Sequence, residues 1–263
     1  MNYIEVNGAG LRYELSGAGD KTLVLVHEMG GTMESWDEVV PRLNASRRVL
    51  RYDTRGAGMS QKLRGTLHID TMADDIAGLL DALGIKGKVA LSGVAVGGAT
   101  SLHFAARYPE RVSAVVVGSP ATGLPPDRRA AGLERAAKME RDGMPGAVED
   151  SMASSYAVEV RGDAKRYEKF RARWLGNDPG SFAAIYRMLA STEMEHELRA
   201  LTCPVLVIGA TFDRVRPPPA AKAIADIIPA SRYVELPTAH FMAAATPELI
   251  ADTIADFLKS VGA

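Results

Sequence analysis

The chain has 263 residues, 47% of them hydrophobic and 24% charged, a balance that fits one large globular domain or one domain carrying an insertion. Its 31 lysines and arginines against 32 aspartates and glutamates leave a net charge of -1, so neither a nucleic-acid-binding surface nor an acidic disordered tail is expected. The N-terminus lacks a basic start followed by a long apolar stretch, and no apolar run reaches the ~18–20 residues that span a bilayer, so a soluble cytoplasmic protein without a membrane partner is expected.

Tyr3-Ile4-Glu5-Val6, the turn Asn7-Gly8-Ala9-Gly10 and Leu11-Arg12-Tyr13-Glu14-Leu15 read as a β-hairpin. Thr22-Leu23-Val24-Leu25-Val26 is a continuous apolar run, as in a strand buried on both faces of a parallel sheet. Residues 34–43 read as one short helix with Trp36, Val39, Val40 and Leu43 on a shared face, and residues 48–52 as the next strand. The spacing of Ile76, Leu79, Leu80 and Leu83 predicts a helix over 70–83 that Gly84 ends. A strand over 88–91, a helix over 96–108 stopped before Pro109, and a β-branched strand over 112–117 follow. From Pro125 to about Ala190 strands vanish and charged helical stretches take over, broken at Gly143-Met144-Pro145-Gly146 and Gly176-Asn177-Asp178-Pro179-Gly180. The lone cysteine, Cys203, cannot build a disulfide framework or a cysteine-based zinc site and reads as a small buried residue at a strand entrance. A strand over 205–208, a helix over 220–228, a strand over 232–236 and a closing helix over 247–258 resume the alternation. That alternation predicts an α/β fold, a mostly parallel sheet with helices on both faces. Residues 1–124 and 191–263 then form the core, and 125–190 a helical cap inserted between two strands.

In open α/β sheets ligands sit at the carboxyl ends of the strands. Those ends carry His27-Glu28-Met29-Gly30-Gly31, Asp53-Thr54-Arg55-Gly56-Ala57-Gly58-Met59-Ser60, Gly93-Val94-Ala95-Val96-Gly97-Gly98, Gly209-Ala210-Thr211-Phe212-Asp213 and Pro237-Thr238-Ala239-His240. In this order the five segments resemble the α/β-hydrolases over nearly the whole chain. Within that superfamily the chain is most similar to the branch of 3-oxoadipate enol-lactonase and related small-acid hydrolases, a likeness carried by residues 48–56 and 105–112.

The resemblance implies a nucleophile elbow, Gly-x-Ser-x-Gly, at Gly93-Val94-Ala95-Val96-Gly97, where a tight strained turn pushes the middle side chain into the pocket. The middle residue is Ala95, whose methyl cannot attack a carbonyl. Ser92, three residues earlier, is not expected to reach the apex. Asp213 and His240 stand at the family's acid and base positions. Alone, Asp213 also reads as a turn or helix cap and His240 as a core imidazole, but jointly they favour a dyad whose carboxylate fixes the imidazole's tautomer. The resemblance places the oxyanion hole at the backbone N–H groups of Met29 and Val96. It gives His27, Asp53 and Arg55 loop-bracing roles and calls for no metal or organic cofactor.

Ala95 is either a designed replacement of serine or the natural residue. With serine natural, the chemistry is acyl transfer on a small carboxylic ester or lactone. With alanine natural, Asp213 and His240, aided by Glu28, would run water-mediated cleavage, proton transfer or cofactor-free oxygenation. A third reading is a non-catalytic binder of a small ligand in an old hydrolase pocket. Glu28 stands where many relatives carry glycine. It would act as a general acid or base if it faces the pocket, or else turn away and pair with Arg55 or another cation.

The cap is rich in arginine (Arg128, Arg129, Arg135, Arg161, Arg166, Arg171, Arg173, Arg187), mostly as solvated surface charge balanced by acids. Arg173 with Trp174, late in the cap, is the expected substrate-binding pair, since a guanidinium grips a carboxylate with two hydrogen bonds. Met152, Met188, Met194 and Met242 suit either core packing or adaptable pocket walls, with Met242 the nearest in sequence to His240. The expected partner is a small-molecule substrate, a carboxylate being one candidate. Assembly into a homo-oligomer is left open.

Overall fold

The computed structural model describes residues 2–229 and 231–263. Asn7 and Gly8 both take positive φ, 50° and 70°, which makes a two-residue turn joining β1 (Asn2–Val6) to β2 (Ala9–Ser16). The turn is tighter than the expected Asn7–Gly10 because Ala9 already pairs with Val6. Strands β3 (Thr22–Val26), β4 (Arg48–Tyr52), β5 (Val89–Val94), β6 (Val112–Gly118), β7 (Val205–Ala210) and β8 (Ser231–Leu236) follow. Among the described residues they form one eight-stranded sheet in the order β1-β2-β4-β3-β5-β6-β7-β8. The β1–β2 and β2–β4 pairs are antiparallel and every other pair is parallel.

The helices are α1 (Val40–Leu43), α2 (Ile69–Ala82) and α3 (Val96–Arg107) in the first half of the chain. Between β6 and β7 lie α4 (Pro126–Asp142), α5 (Val148–Ser155), α6 (Ala164–Leu175), α7 (Pro179–Ser191) and α8 (Glu195–Arg199). After β7 come α9 (Pro218–Ile227), α10 (Met242–Ala245) and α11 (Pro247–Ser260). The helix expected over 34–43 is instead a 3-10 turn, Met33–Trp36, followed by α1. Pro41 explains the break, since it has no N–H to give the carbonyl of Asp37. Among the described residues no helix is long and apolar enough to cross a membrane.

Side chains alternate across each strand, so the apolar run of β3 feeds two cores. Val24 and Val26 pack with Ile76 and Leu80 of α2, Leu102 and Phe104 of α3, and Ala221 of α9. Leu23 and Leu25 pack on the other face with Leu43 of α1 and Ile250, Ile254 and Leu258 of α11. Cys203 is half-buried at the approach to β7 beside the first core, and burial pushes its thiol up.

The helical insert has a third core of its own. Met152, Tyr156, Phe170, Trp174 and Phe182 pack there with Phe241, Ala244 and Ala245 from the segment around α10. That segment is also tied to the insert by hydrogen bonds. Phe241 N donates to the Ser155 carbonyl at 3.1 Å, and the Tyr156 hydroxyl donates to the Ala244 carbonyl at 3.2 Å. On the far side of the sheet, His103 of α3 sits between Asp70 of α2, 2.6 Å from Nε2, and Glu197 of α8, 2.7 Å from Nδ1.

Candidate active site

The turn from β5 to α3 is as sharp as its sequence demands. A Cβ on Gly93 would run into the Gly97 carbonyl, and one on Gly97 into the carbonyl of Val26. At the apex Ala95 holds φ 52° and ψ -113°, a conformation that costs a non-glycine residue about 1–3 kcal/mol. Backbone bonds hold it there: Ala95 N to Gly118 O at 2.9 Å, Ala121 N to Ala95 O at 2.9 Å, and Ala99 N to Ala95 O at 3.0 Å. The bend aims the Ala95 methyl into a cavity of about 150 Å³.

His240 lines the same cavity. Its Nδ1 lies 2.7 Å from Asp213 Oδ2, and Asp213 Oδ1 accepts the N–H groups of Val215 and Arg216, both at 2.8 Å. Burial pushes the Asp213 carboxyl up, but the His240 ring and these amides outweigh it and hold the group below the ordinary range. An ionised Asp213 can only accept, so Nδ1 of His240 carries a proton, and in the neutral ring Nε2 is the atom with the lone pair. Among the described residues Nε2 has no hydrogen-bond partner.

Val96 is the first residue of α3, where an amide has no carbonyl one turn back, and Met29 sits in the loop after β3. Both line the cavity, and among the described residues neither N–H finds a protein acceptor. The positive end of the α3 dipole adds to the field they create.

The neighbouring polar residues brace loops. Thr54 N donates to His27 Nε2 at 3.0 Å, so Nδ1 carries the hydrogen and donates to the Glu28 carbonyl at 2.7 Å. Asp53 accepts from the amides of Met33 and Met59, both at 2.8 Å, and from Arg12 at 3.1 Å. Arg12 also clasps Glu34. Burial pushes the Glu34 carboxyl up, but Arg12 and Thr32 outweigh it and lower it to about 2. Arg55 pairs with Asp75 at 2.6 Å.

Four expected site residues do not line the cavity: Asp213, which stands behind His240, and Glu28, Arg173 and Met242. Glu28 turns away from the cavity, its carboxyl lying against Gly31, but it pairs with no cation among the described residues. Oε1 accepts the Ser35 hydroxyl at 2.7 Å, Oε2 has no partner among the described residues, and Arg55 is already engaged by Asp75. The turn closed by Gly31 N on the Glu28 carbonyl, 3.0 Å, carries the side chain to that side. Arg173 lies over the Phe170 ring, 5.7 Å from its centroid, with a buried Nε that has no acceptor. Trp174 does line the cavity, edge-on to Phe182, but Arg173 does not, so the two do not act there as a pair. Met242 is fully buried against Gly118 of β6, inside the core. Met152, Met188 and Met194 are likewise core residues.

Two charged side chains at the cavity were not singled out in the sequence as pocket residues. Arg216 comes from the turn after β7 and Arg135 from α4. The first carried a signal: it stands three residues after Asp213, on the same strand-end turn. The second is one arginine among many on a charged helix. Among the described residues no cluster of His, Cys, Asp and Glu has the arrangement of a metal site.

Residues 17–239 match the family described as serine aminopeptidase, S33. A thermophilic esterase from Thermogutta terrifontis, solved with malate bound, superposes with a TM-score of 0.92 at 29% identity, covering 99% of each chain. The enol-lactonase of Burkholderia xenovorans LB400 superposes with a TM-score of 0.90 at 27% identity, covering 98% of this chain and 100% of its own. In sequence, the putative carbamate hydrolase RutD of Pantoea ananatis is 26% identical over 247 residues, 92% of this chain and 90% of its own. A dihydrolipoyllysine-residue acetyltransferase component of Pseudomonas putida is 41% identical over 112 residues, but that stretch spans 30% of its length. The chain belongs to the serine aminopeptidase S33 family, and its fold and relatives make it an α/β-hydrolase of the branch that includes the enol-lactonases.

Proposed function

We propose that the cavity is the acyl pocket of a small-molecule hydrolase for carboxylic esters or lactones, with Ala95 where an attacking hydroxyl would stand. The observation that carries this reading is the meeting of the Ala95 apex, the His240 imidazole and the Met29 and Val96 amides around one cavity. With serine at 95, its oxygen adds to the carbonyl carbon while His240 Nε2 takes the proton. Asp213 stabilises the imidazolium, and the two amides receive the oxyanion. Collapse expels the leaving alkoxide, which takes the proton from Nε2, and water then repeats the cycle on the acyl-enzyme. This chemistry requires no metal or organic cofactor, because the amides polarise the carbonyl and the imidazole moves the proton. The esterase and enol-lactonase neighbours support the ester and lactone class, and the carbamate hydrolase relative suggests a third carbonyl substrate with the same oxyanion requirement. Residues 125–190 act in this reading as a cap over 1–124 and 191–263, closing the cavity and limiting substrate size. The alanine chain holds an acyl group without attacking it.

Ala95→Ser is expected to raise hydrolysis of 4-nitrophenyl acetate and a panel of small lactones at least ~10³-fold, given that losing a triad serine costs about 10⁶ in turnover. Adding His240→Ala should return the rate to that of the unaltered chain. No gain on any ester or lactone would overturn the reading.

One observation favours a second reading: His240 lines the cavity, and its Nε2 has no protein partner among the described residues. With alanine at the apex the dyad would activate a water directly. Glu28 has no part in it, since its carboxyl lies behind the loop. Turnover by the unaltered chain that His240→Ala abolishes would establish this reading. Ligand binding without turnover in either form would identify a binder.

A further inference from the structure

Arg216 and Arg135 meet at the cavity's edge and also line a wider groove outside it, about 800 Å³, together with Arg128 and Lys138. Other arginines of the insert are neutralised by carboxylates: Arg129 by Glu193, Arg166 by Glu38, Arg171 by Glu149 and Arg187 by Glu140. The four cations of the groove form no ion pair among the described residues. Against them the groove holds two carboxylates, Asp127 and Glu134.

Arg216 is the most confined of the four. One Nη donates to the Gly123 carbonyl at 2.9 Å, and its other N–H groups have no protein acceptor among the described residues. Arg135 gives one hydrogen bond, to the Ser151 hydroxyl at 3.1 Å. Burial lowers the pKa of Arg216 while the charge of Asp213 opposes the fall. Asp213 is itself occupied by His240 and two amides, so it does not neutralise the guanidinium. A half-buried cation with free donors and, among the described residues, no ion-paired carboxylate is a ready partner for an oxyanion, and guanidinium geometry suits one that accepts two parallel bonds.

Size divides the substrate between the two spaces. The cavity, about 150 Å³, is much smaller than the groove of about 800 Å³, so it suits the short acyl portion of a substrate. Anything longer extends past Arg216 into the groove.

We propose that Arg216, flanked by Arg135, Arg128 and Lys138, is an anion-binding subsite that selects substrates bearing a carboxylate or phosphate group beyond a short acyl portion. The proposal rests on the acyl-pocket reading for what fills the cavity. The unaltered chain lacks the attacking group, so ester affinity is read directly by calorimetry. Monomethyl glutarate and methyl 4-phosphonobutyrate are the charged probes and dimethyl glutarate the neutral one. Both charged esters, or one of them, should bind at least ~10-fold tighter than the neutral ester, and the tighter of the two identifies the anion. Arg216→Gln should shrink that ratio to below about twofold, and Arg135→Gln should shrink it part of the way. Arg135→Gln and Lys138→Gln, at exposed positions of α4, supply the test if Arg216→Gln does not fold. Equal affinity for charged and neutral esters, a ratio unmoved by these substitutions, or no binding of any probe would overturn the subsite. The same probes on Ala95→Ser separate the two readings. Turnover without charge preference removes the subsite and leaves the hydrolase, while charge preference without turnover does the reverse.

Discussion

Glu28 shows how far a residue's identity leaves its role open. It is 1% exposed, accepts one hydrogen bond from Ser35, and among the described residues has no cation within ion-pair distance. Burying a carboxylate with so little compensation is costly, and Glu28→Gln keeps the acceptor for Ser35 while removing the charge. That variant is expected to be more stable than the parent at neutral pH by about 1–3 kcal/mol, read from urea midpoints. A drop in midpoint would mean that the carboxylate has a partner which the amide cannot replace. The sequence placed Glu28 beside the oxyanion loop, but which side of a two-residue turn its carboxyl falls on depends on the Gly31 amide, a tertiary detail without a periodic signature. Arg173 and Arg216 make the same point from opposite directions. One was favoured for its place late in the insert and lies over Phe170, while the other gained its position from the strand end that Asp213 marks.

At the scale of elements, the strands were the most legible. Thr22–Val26 is an apolar run, and Arg48–Tyr52 sets Val49, Leu50 and Tyr52 between two arginines; both have the length of a strand, and tertiary packing had nothing to override. The helix over 34–43 failed on one residue, Pro41, whose missing N–H outweighs a good apolar face. The four-residue α10 left no pattern, since Met242-Ala243-Ala244-Ala245 is too short for helical periodicity. The elbow was legible because its glycines answer to backbone collisions and not to side-chain chemistry. Gly97→Ala drives a methyl into the Val26 carbonyl, and neither backbone can yield without disrupting β3 or α3. A loss of about 1–3 kcal/mol or more is expected in chemical denaturation. A variant within about 0.5 kcal/mol of the parent would show that the strand and helix are less tightly seated than the geometry requires.

Across the whole molecule, His103 joins three helices from separate parts of the chain: α2 through Asp70, α3 on which it sits, and α8 through Glu197. Burial lowers its pKa, but hydrogen bonding and charge from Glu197 and then Asp70 outweigh that, and the net shift is upward. The stabilisation is fully present below the unfolded value of about 6.5 and is lost as pH rises through the raised folded value. His103→Gln should therefore destabilise the protein most at pH ~6 and little at pH ~9, as urea midpoints at the two values would show. A penalty of equal size at both would mean that the ring acts by packing alone.

The anchoring of α10 in the insert's own core constrains how the protein exchanges ligands. Phe241 stacks near Phe170 with centroids 4.7 Å apart, and its amide is held by Ser155, so the backbone directly after His240 is built into the roof of the site. Swinging that roof outward would tear the imidazole from Asp213. In the acyl-pocket reading a small molecule would then enter past Arg135 and Arg216 without displacing that segment, and the side chains there would set what gets in.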